Sequence, residues 1–364
     1  MEEFLAKLAR VRQWLAAGNK EAAVFSRREN YRWLACGCDN TVDRDDAWSP
    51  ADVVVTMDEV YLAAPRNEMA RHLEEDGWGT RARPIVYSWW EDRFAFLRSV
   101  FPPERTVADS AGTGFAAAGR ALAELRYELH EQEIGRYRLL GAQAVAVHEE
   151  VLGGLAAGVS EQEAAARLAG ALAARGLRPV VVLVGADDRL KRYPHPVPTA
   201  ALFQERLLVS TCVEKWGLVL SSTYLLVTAA GYRRWNEKHR RITGCLARMI
   251  AETRPGLGVG AFVELMKESL AGGETAPDWA AHHQGGATGY RTRDYLAWPG
   301  STETIRAGQA FAWNPYCAGM KQEGTFVTAN GEGGGPVLLN CPRTWPSLTV
   351  KVGKEYSFFD LLTV

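Results

Sequence analysis

No apolar run in the 364 residues is long enough to cross a bilayer, which sets aside a membrane-spanning role. An excess of one charge is missing too: 42 Lys and Arg face 43 Asp and Glu, for a formal net charge of −1. That balance offers no electrostatic footprint for nucleic acid or an anionic membrane. Cysteine is sparse and irregular, at Cys36, Cys38, Cys212, Cys245, Cys317 and Cys341. The one close pair is a CxC, neither the CxxC of a zinc site nor a redox pair, so free thiols in a reducing cytoplasm are expected. The opening MEEFLAKLARVRQWLAAG lacks the apolar core and small-residue cleavage site of a signal peptide and predicts an amphipathic helix.

What is present is ordinary for a globular chain, with 47% apolar and 23% charged residues, and long enough for two domains. The first third alternates helix and strand. Phe4, Leu5, Leu8, Val11 and Leu15 recur at helical spacing, and 22–25 reads as a strand. Residues 53–55 and 60–62 form a hairpin about Met57-Asp58, 67–68 open a helix, and 84–87 form another strand. Residues 106–110 show no pattern, and the Ala/Gly run at 111–119 marks a boundary. Beyond it a long helix runs from 124 to 152. Ser160-Glu161-Gln162-Glu163 is a capping box for a helix that stops at Gly176. Strands follow at 179–184, 207–213 and 218–227, then a helix through Ile242, Leu246 and Ile250 that ends at Pro255-Gly256. The remainder reads as strand and loop, so this part is α+β.

Four clusters carry possible chemistry. In Tyr193-Pro194-His195-Pro196-Val197-Pro198, three prolines hold the backbone on both sides of one histidine, suiting general acid/base work or simply a turn. In His282-His283-Gln284-Gly285-Gly286-Ala287-Thr288-Gly289, adjacent histidines are not at helical metal spacing, and the glycines point to close backbone approach at a pocket wall or a surface loop. Trp313-Asn314-Pro315 is followed by Lys321-Gln322-Glu323, where the carboxylate can pair with Lys321 or face a substrate cation. The glycines at 256, 258 and 260 follow a helix rather than a strand, so they are no dinucleotide loop.

In order along the chain, these clusters resemble the creatinase, prolidase and methionine aminopeptidase superfamily, whose catalytic domain has the pita-bread fold. The helix His130–Arg138 resembles the one that opens that domain, and the stretch around His195 its histidine near the substrate. LVSTCVEKWGLVLSST at 208–223 resembles the strand pair D-x-G…G-Y-x-x-D-x-T, keeping Gly217 and Thr223 but with Ser210 and Ser221 at both Asp positions. HHQGGATGY resembles H-x-x-x-H-x-x-G, with His282 at the first His, Gly289 closing, and Gly286 at the ligand His. Arg293-Asp294 replaces a common His-Asp, and Asn314 stands at the Glu of Glu-Pro. Glu323, ahead of TFVTANGEG, resembles the last ligand Glu of E-D-x-x-x-V-T-x-x-G, with one residue fewer and Gly324 for the Asp.

The resemblance implies an α/β creatinase-like N-terminal domain over 1–118 and an α+β pita-bread domain over 119–364. It also implies a homodimer. At most one of the five ligands of a two-metal site remains, and hydroxyls and an amide cannot offset two divalent charges. No metal and no cofactor are therefore expected, with Gly286 leaving space where an imidazole stood. By similarity to creatinase, the implied activity is a metal-independent hydrolase or lyase acting on an amidine, amide or urea-like C–N bond. His195 would be its acid/base, His282 a proton donor or oxyanion partner, and Glu323 an anchor for positive charge. His283, Gln284, Asn314, Arg293, Asp294, Ser210, Ser221 and Lys321 would bind the substrate, a small molecule. Two other readings stay open: an inactive binding module, and a peptidase of the Xaa-Pro aminopeptidase type.

Overall fold

Short runs of β-branched and small apolar residues build the first of two units, Met1–Gln132. The computed structural model describes residues 1–38, 41–271, 281–317, 319–330 and 334–364, so the end of the TFVTANGEG stretch (331–333) lies outside them. Helix α1 (Glu2–Ala17) buries Phe4, Leu8, Val11 and Leu15. Then come β1 (Ala22–Arg27), α2 (Arg28–Leu34), β2 (Trp48–Thr56), β3 (Val60–Pro65), α3 (Arg66–Glu74), β4 (Arg83–Tyr87) and α4 (Arg93–Val100). Strands β5 (Thr106–Ala108) and β6 (Ala116–Ala117) and helix α5 (Gly119–Glu124) complete it.

The sheet order is β4-β3-β2-β1-β5-β6, with the β1–β2 and β2–β3 pairs antiparallel and the others parallel. Burial on both faces explains why β1 and β2 read as continuous apolar runs. The Ala/Gly run is no linker: it supplies β6, the edge of this sheet. Residues 106–110 showed no pattern because a three-residue strand is too short to display a period.

The second unit, Glu133–Val364, carries the candidate site. Helix α6 spans Glu131–Gly153 and does not begin at 124 as expected. Tight turns after α5 and the buried Arg126, which donates to Asn30 Oδ1 at 2.9 Å, redirect the chain first. Helix α7 (Glu161–Ala174) starts where the Ser160 hydroxyl accepts from the Glu163 N–H at 3.1 Å. Next are β7 (Arg178–Ala186), the short α8 (Arg189–Arg192), β8 (Arg206–Lys215) and β9 (Leu218–Val227). Trp216 (φ 54°) and Gly217 (φ 75°) form the two-residue turn between β8 and β9. A turn with both φ values positive matches strand twist and fixes the register.

Helix α9 (Ala229–Glu252) and α10 (Ala261–Leu270) follow. The second corrects the expectation of strand and loop beyond Pro255. Its buried Phe262, Val263, Met266 and Leu270 have helical spacing, but the glycines at 256, 258 and 260 masked its start. Then come β10 (Gly285–Ala287), β11 (Tyr295–Leu296), β12 (Ala310–Trp313), β13 (Tyr316–Cys317), β14 (Met320–Lys321), β15 (Gly324–Val327) and β16 (Val337–Leu338). The chain closes with β17 (Ser347–Val352), β18 (Lys354–Phe359) and β19 (Leu362–Thr363).

Two sheets, β19-β9-β8-β7 and β11-β10-β12-β15-β16, share this unit with the ribbons β13–β14 and β17–β18. Leu246, Met249 and Ile250 of α9 and Phe262 of α10 pack with Phe311, Trp313 and Phe326 in one buried core. Each such side chain contributes roughly 1.5–3 kcal/mol. Among the described residues all six cysteines are free, and no helix is long and apolar enough to cross a membrane.

Candidate functional site

The β8–β9 register determines which side chains meet Glu323. It places Ser210 opposite Thr223 and Cys212 opposite Ser221. Residues two apart share a strand face, so these four side chains form one polar strip. Ser210 Oγ and Thr223 Oγ1 lie 3.0 Å apart, and both hydroxyls reach Glu323 Oε2, at 3.2 and 3.1 Å. Thr325 and Asn340, which the sequence did not single out, fasten the strip. Ser221 N–H donates to Thr325 Oγ1 at 3.0 Å and Thr325 donates back to Ser221 O at 2.8 Å. Asn340 Nδ2 donates to Ser222 Oγ at 3.0 Å. Thr325 falls at an unspecified position of the stretch after Glu323 and Asn340 belongs to no recognisable pattern, so no sequence signal gives either a role.

Two bases close on the one acid. Arg293 donates from Nη2 to Glu323 Oε1 at 2.9 Å and from Nη1 to Ser221 Oγ at 3.1 Å. Lys321 Nζ stands 3.9 Å from Glu323 Oε2. Burial alone would raise the Glu323 carboxyl, but Lys321 and Arg293 hold it below the usual carboxylate range. Burial draws Lys321 down, and an acid already engaged by Arg293 offsets only part of that.

Three imidazoles meet beside this group. His195 sits in the proline-rich loop, where buried Pro196 packs on Gly185 of β7; a Cβ at Gly185 would lie 2.6 Å from that ring. Glu161 ties the same loop down. Fully buried, it accepts from Ala186 N, Arg189 Nε, Thr199 N and Thr199 Oγ1 at 2.7–2.9 Å. His282 Nε2 lies 3.1 Å from His195 Nε2, and the His282 ring stacks on His283 (4.7 Å) and on Tyr316 (5.2 Å). Burial, then Lys321, lowers His282 to about 2; burial, then Arg293, lowers His283 to about 4. Burial and Lys321 also lower His195. All three are neutral near pH 7.

His282, His283 and Gln284 form one side of a cavity of about 270 Å³, completed by Val263, Leu296, Ala297 and Trp298. Gln284 holds the wall: its Nε2 donates to His282 O, and its Oε1 accepts from Tyr316 N at 3.2 Å. Trp298 escaped the sequence reading because it lies in a loop without a period, whereas Tyr316 ends the cluster that runs from Phe311 through Asn314-Pro315. Asn314 is buried at the end of β12 with its Oδ1 unpartnered. The Asp294 charge is one of the lesser influences, after burial, on buried Tyr137.

The donor set does not fit a pair of divalent ions. Glu323 is the one carboxylate among the five matched positions, and a guanidinium and an ammonium already face it. Gly286 opens no space, contrary to expectation. A Cβ there would lie 2.1 Å from Tyr295 O, because β10 runs between β11 and β12. A single borderline ion is a different matter, since one nitrogen from each of His195, His282 and His283 lies within 4.8 Å of the others. Adjacent histidines converge here because they lie in a loop rather than on a helix. Yet Nδ1 of His282 and of His283 lacks the acceptor that usually orients a metal-bound imidazole, and Lys321 and Arg293 add positive charge.

The prolidase from Pyrococcus horikoshii OT3 superposes with a TM-score of 0.75 at 12% identity, over 93% of this chain and 98% of that one. The chain has the two-domain pita-bread fold. The dipeptidase PepE from Mycobacterium ulcerans gives 0.76 at 17% identity, over 94% of this chain and 96% of that one. The N-terminal domain of FACT complex subunit SPT16 from Eremothecium gossypii gives 0.67 at 10%, over 93% and 96%. No protein-family model and no curated protein matches the sequence. Pita-bread likeness thus extends over both units.

Proposed function

We propose that the pita-bread unit hydrolyses or eliminates at a C–N bond of a small nitrogen-containing compound, using imidazole acid/base chemistry and no metal pair. The observation that carries this reading is the 3.1 Å contact of His195 Nε2 with Nε2 of His282, which lines the cavity. Both rings are neutral near pH 7, so one Nε2 donates to a lone pair on the other. The exposed His195 can take a proton from a water as its oxygen bonds to the carbonyl carbon, and return that proton to the nitrogen as the C–N bond breaks, which is the sequence of transfers that hydrolysis of an amide-type bond requires. Glu323 serves as the counter-ion of Arg293 and Lys321, which weakens the case for a cationic amidine and favours a neutral amide or urea-like group.

A second reading keeps the same imidazoles and takes a dipeptide as the substrate. Two of the structures that superpose on this chain are named as prolidase and dipeptidase, and the apolar residues Val263, Leu296 and Trp298 suit a compact ring in the cavity. The likeness to the FACT subunit domain supports the non-catalytic alternative. These readings separate in one screen of the full chain against small amides, ureas, cyclic amidines and Xaa-Pro dipeptides. Whichever class is turned over, His195→Ala is expected to lower kcat by roughly a hundredfold or more. Because His195 titrates below its ordinary range, the acid limb of the rate profile is expected below the pH typical of an imidazole base. Unchanged rates in His195→Ala would remove it from the mechanism, and no turnover of any class would favour the binding module.

A further inference from the structure

Where β8 begins, a buried base is left with donors that nothing accepts. Arg206 is 1% exposed, yet its Nε and Nη1 have no hydrogen-bond partner among the described residues. Nη2 is engaged only at 3.4 Å, donating to Asp187 O. The two acids that act on this guanidinium are committed to other donors. Asp187 accepts from the backbone N–H groups of Gln204, Glu205 and Arg206 at 2.8–2.9 Å. Glu205 accepts from Trp235 Nε1 at 2.9 Å and from Arg234 Nη1 at 3.3 Å.

What Arg206 does have is an aromatic face. Its guanidinium carbon lies 3.8 Å from the ring centroid of Trp235 on α9, and the same ring has Arg234 at 5.1 Å and Lys238 at 5.8 Å. Stacking on an indole satisfies the plane of a guanidinium and leaves its in-plane N–H groups bare. Buried donors of that kind are rare, and a bound water or ion is what usually accounts for them. Charge separates the two. After burial and Cys317, the groups that act on Lys238 are cations, namely Arg206, Lys191 and Arg241. Lys191 is paired with Asp188 at 2.7 Å. Arg206, Arg234, Lys238 and Arg241 then face Asp187 and Glu205, which leaves two positive charges in excess.

We propose that Arg206, with Arg234 and Lys238 around Trp235, forms a binding site for a phosphate group, either the free ion or a monoester. Guanidinium N–H groups match phosphate oxygens, and one dianion balances the excess charge. Trp235 is half-buried, so a single side chain separates the guanidinium from solvent. None of these residues lines the cavity beside His282, so the site stands whether or not the hydrolase reading does.

The test is calorimetric titration of the full-length chain with inorganic phosphate, glycerol phosphate and acetate at constant ionic strength. Phosphate is expected to bind more tightly than acetate. Arg206→Gln is expected to weaken phosphate roughly tenfold or more, the scale of one lost charge-assisted hydrogen bond. If Arg206→Gln does not fold, Lys238→Gln decides. It exchanges a half-buried charge for an amide and is expected to weaken phosphate about threefold to fivefold, the upper range for a partly exposed ion pair. Displacement of phosphate by glycerol phosphate supports a monoester as the ligand, and failure to displace it supports the free ion. No binding of phosphate overturns the site and leaves water as the partner of Arg206. Acetate bound as tightly as phosphate, or undiminished phosphate binding in either variant, overturns it as well.

Discussion

The histidines of the second unit divide by what their rings touch. His148 is a satisfied core residue: its Nδ1–H donates to Ala144 O at 2.6 Å, its Nε2 accepts from Thr211 at 2.9 Å, and the ring stacks on Tyr224 at 4.7 Å. The site imidazoles instead keep ring nitrogens without a protein partner, which is what chemistry on a bound molecule needs. That difference has a measurable consequence for stability. Burial lowers His148 from 6.5 to about 4. Above pH 6.5 neither the folded nor the unfolded chain protonates it, and it has no effect on the pH slope. Below 6.5 the unfolded chain takes up a proton that the folded chain refuses, so stability falls by about 1.4 kcal/mol per pH unit until about pH 4. The other imidazoles that burial lowers, His195, His239, His282 and His283, add to the same slope, so urea unfolding at pH 7, 6 and 5 is expected to show a steeper fall, from which His148→Gln removes roughly one such increment. An identical slope in His148→Gln would place the proton uptake elsewhere.

At the scale of elements, Gly286 shows how strand packing excludes a ligand side chain. Strand β10 is hydrogen-bonded on both sides, and a Cβ at 286 would lie 2.1 Å from Tyr295 O on β11. A histidine placed there therefore disrupts the sheet before any metal can bind. Even Gly286→Ala is expected to destabilise the chain by about 1–3 kcal/mol, the range for overpacking, as read by thermal unfolding. A melting temperature equal to wild type would show that β11 yields freely. The same scale explains what the sequence made legible. The helix capped by Ser160 and the hairpin turned by Trp216-Gly217 carry their signals within a few residues. Strands β5 and β10 to β16 have two to four residues each, too few to show a period. At the site, residues matched to local motifs were located, including the possible Lys321–Glu323 pairing. The Arg293 contact spans 30 positions and follows from sheet geometry that no local pattern encodes.

For the molecule as a whole, fold and cage rest on very different numbers of residues. The pita-bread architecture is spread over a large buried core, where many apolar substitutions are interchangeable, so it persists at 10–17% identity to the structures it superposes on. A dinuclear site depends on a handful of oxygen and nitrogen donors, and losing most of them ends it. Here two fixed cations face the remaining carboxylate, so added hard ions meet positive charge in place of a cage. Linkage turns this into a test, because ions that bind only the folded state at a hundredfold over Kd would stabilise it by about 2.7 kcal/mol. For a unit of this size that is a rise of roughly 5–10 °C. Thermal unfolding of the full chain with millimolar manganese or magnesium is expected to match the metal-free curve within about a degree, since neither ion finds enough carboxylate oxygens. A rise of about 5 °C or more that Glu323→Gln abolishes would mean that Arg293 and Lys321 swing aside and the old cage still holds metal.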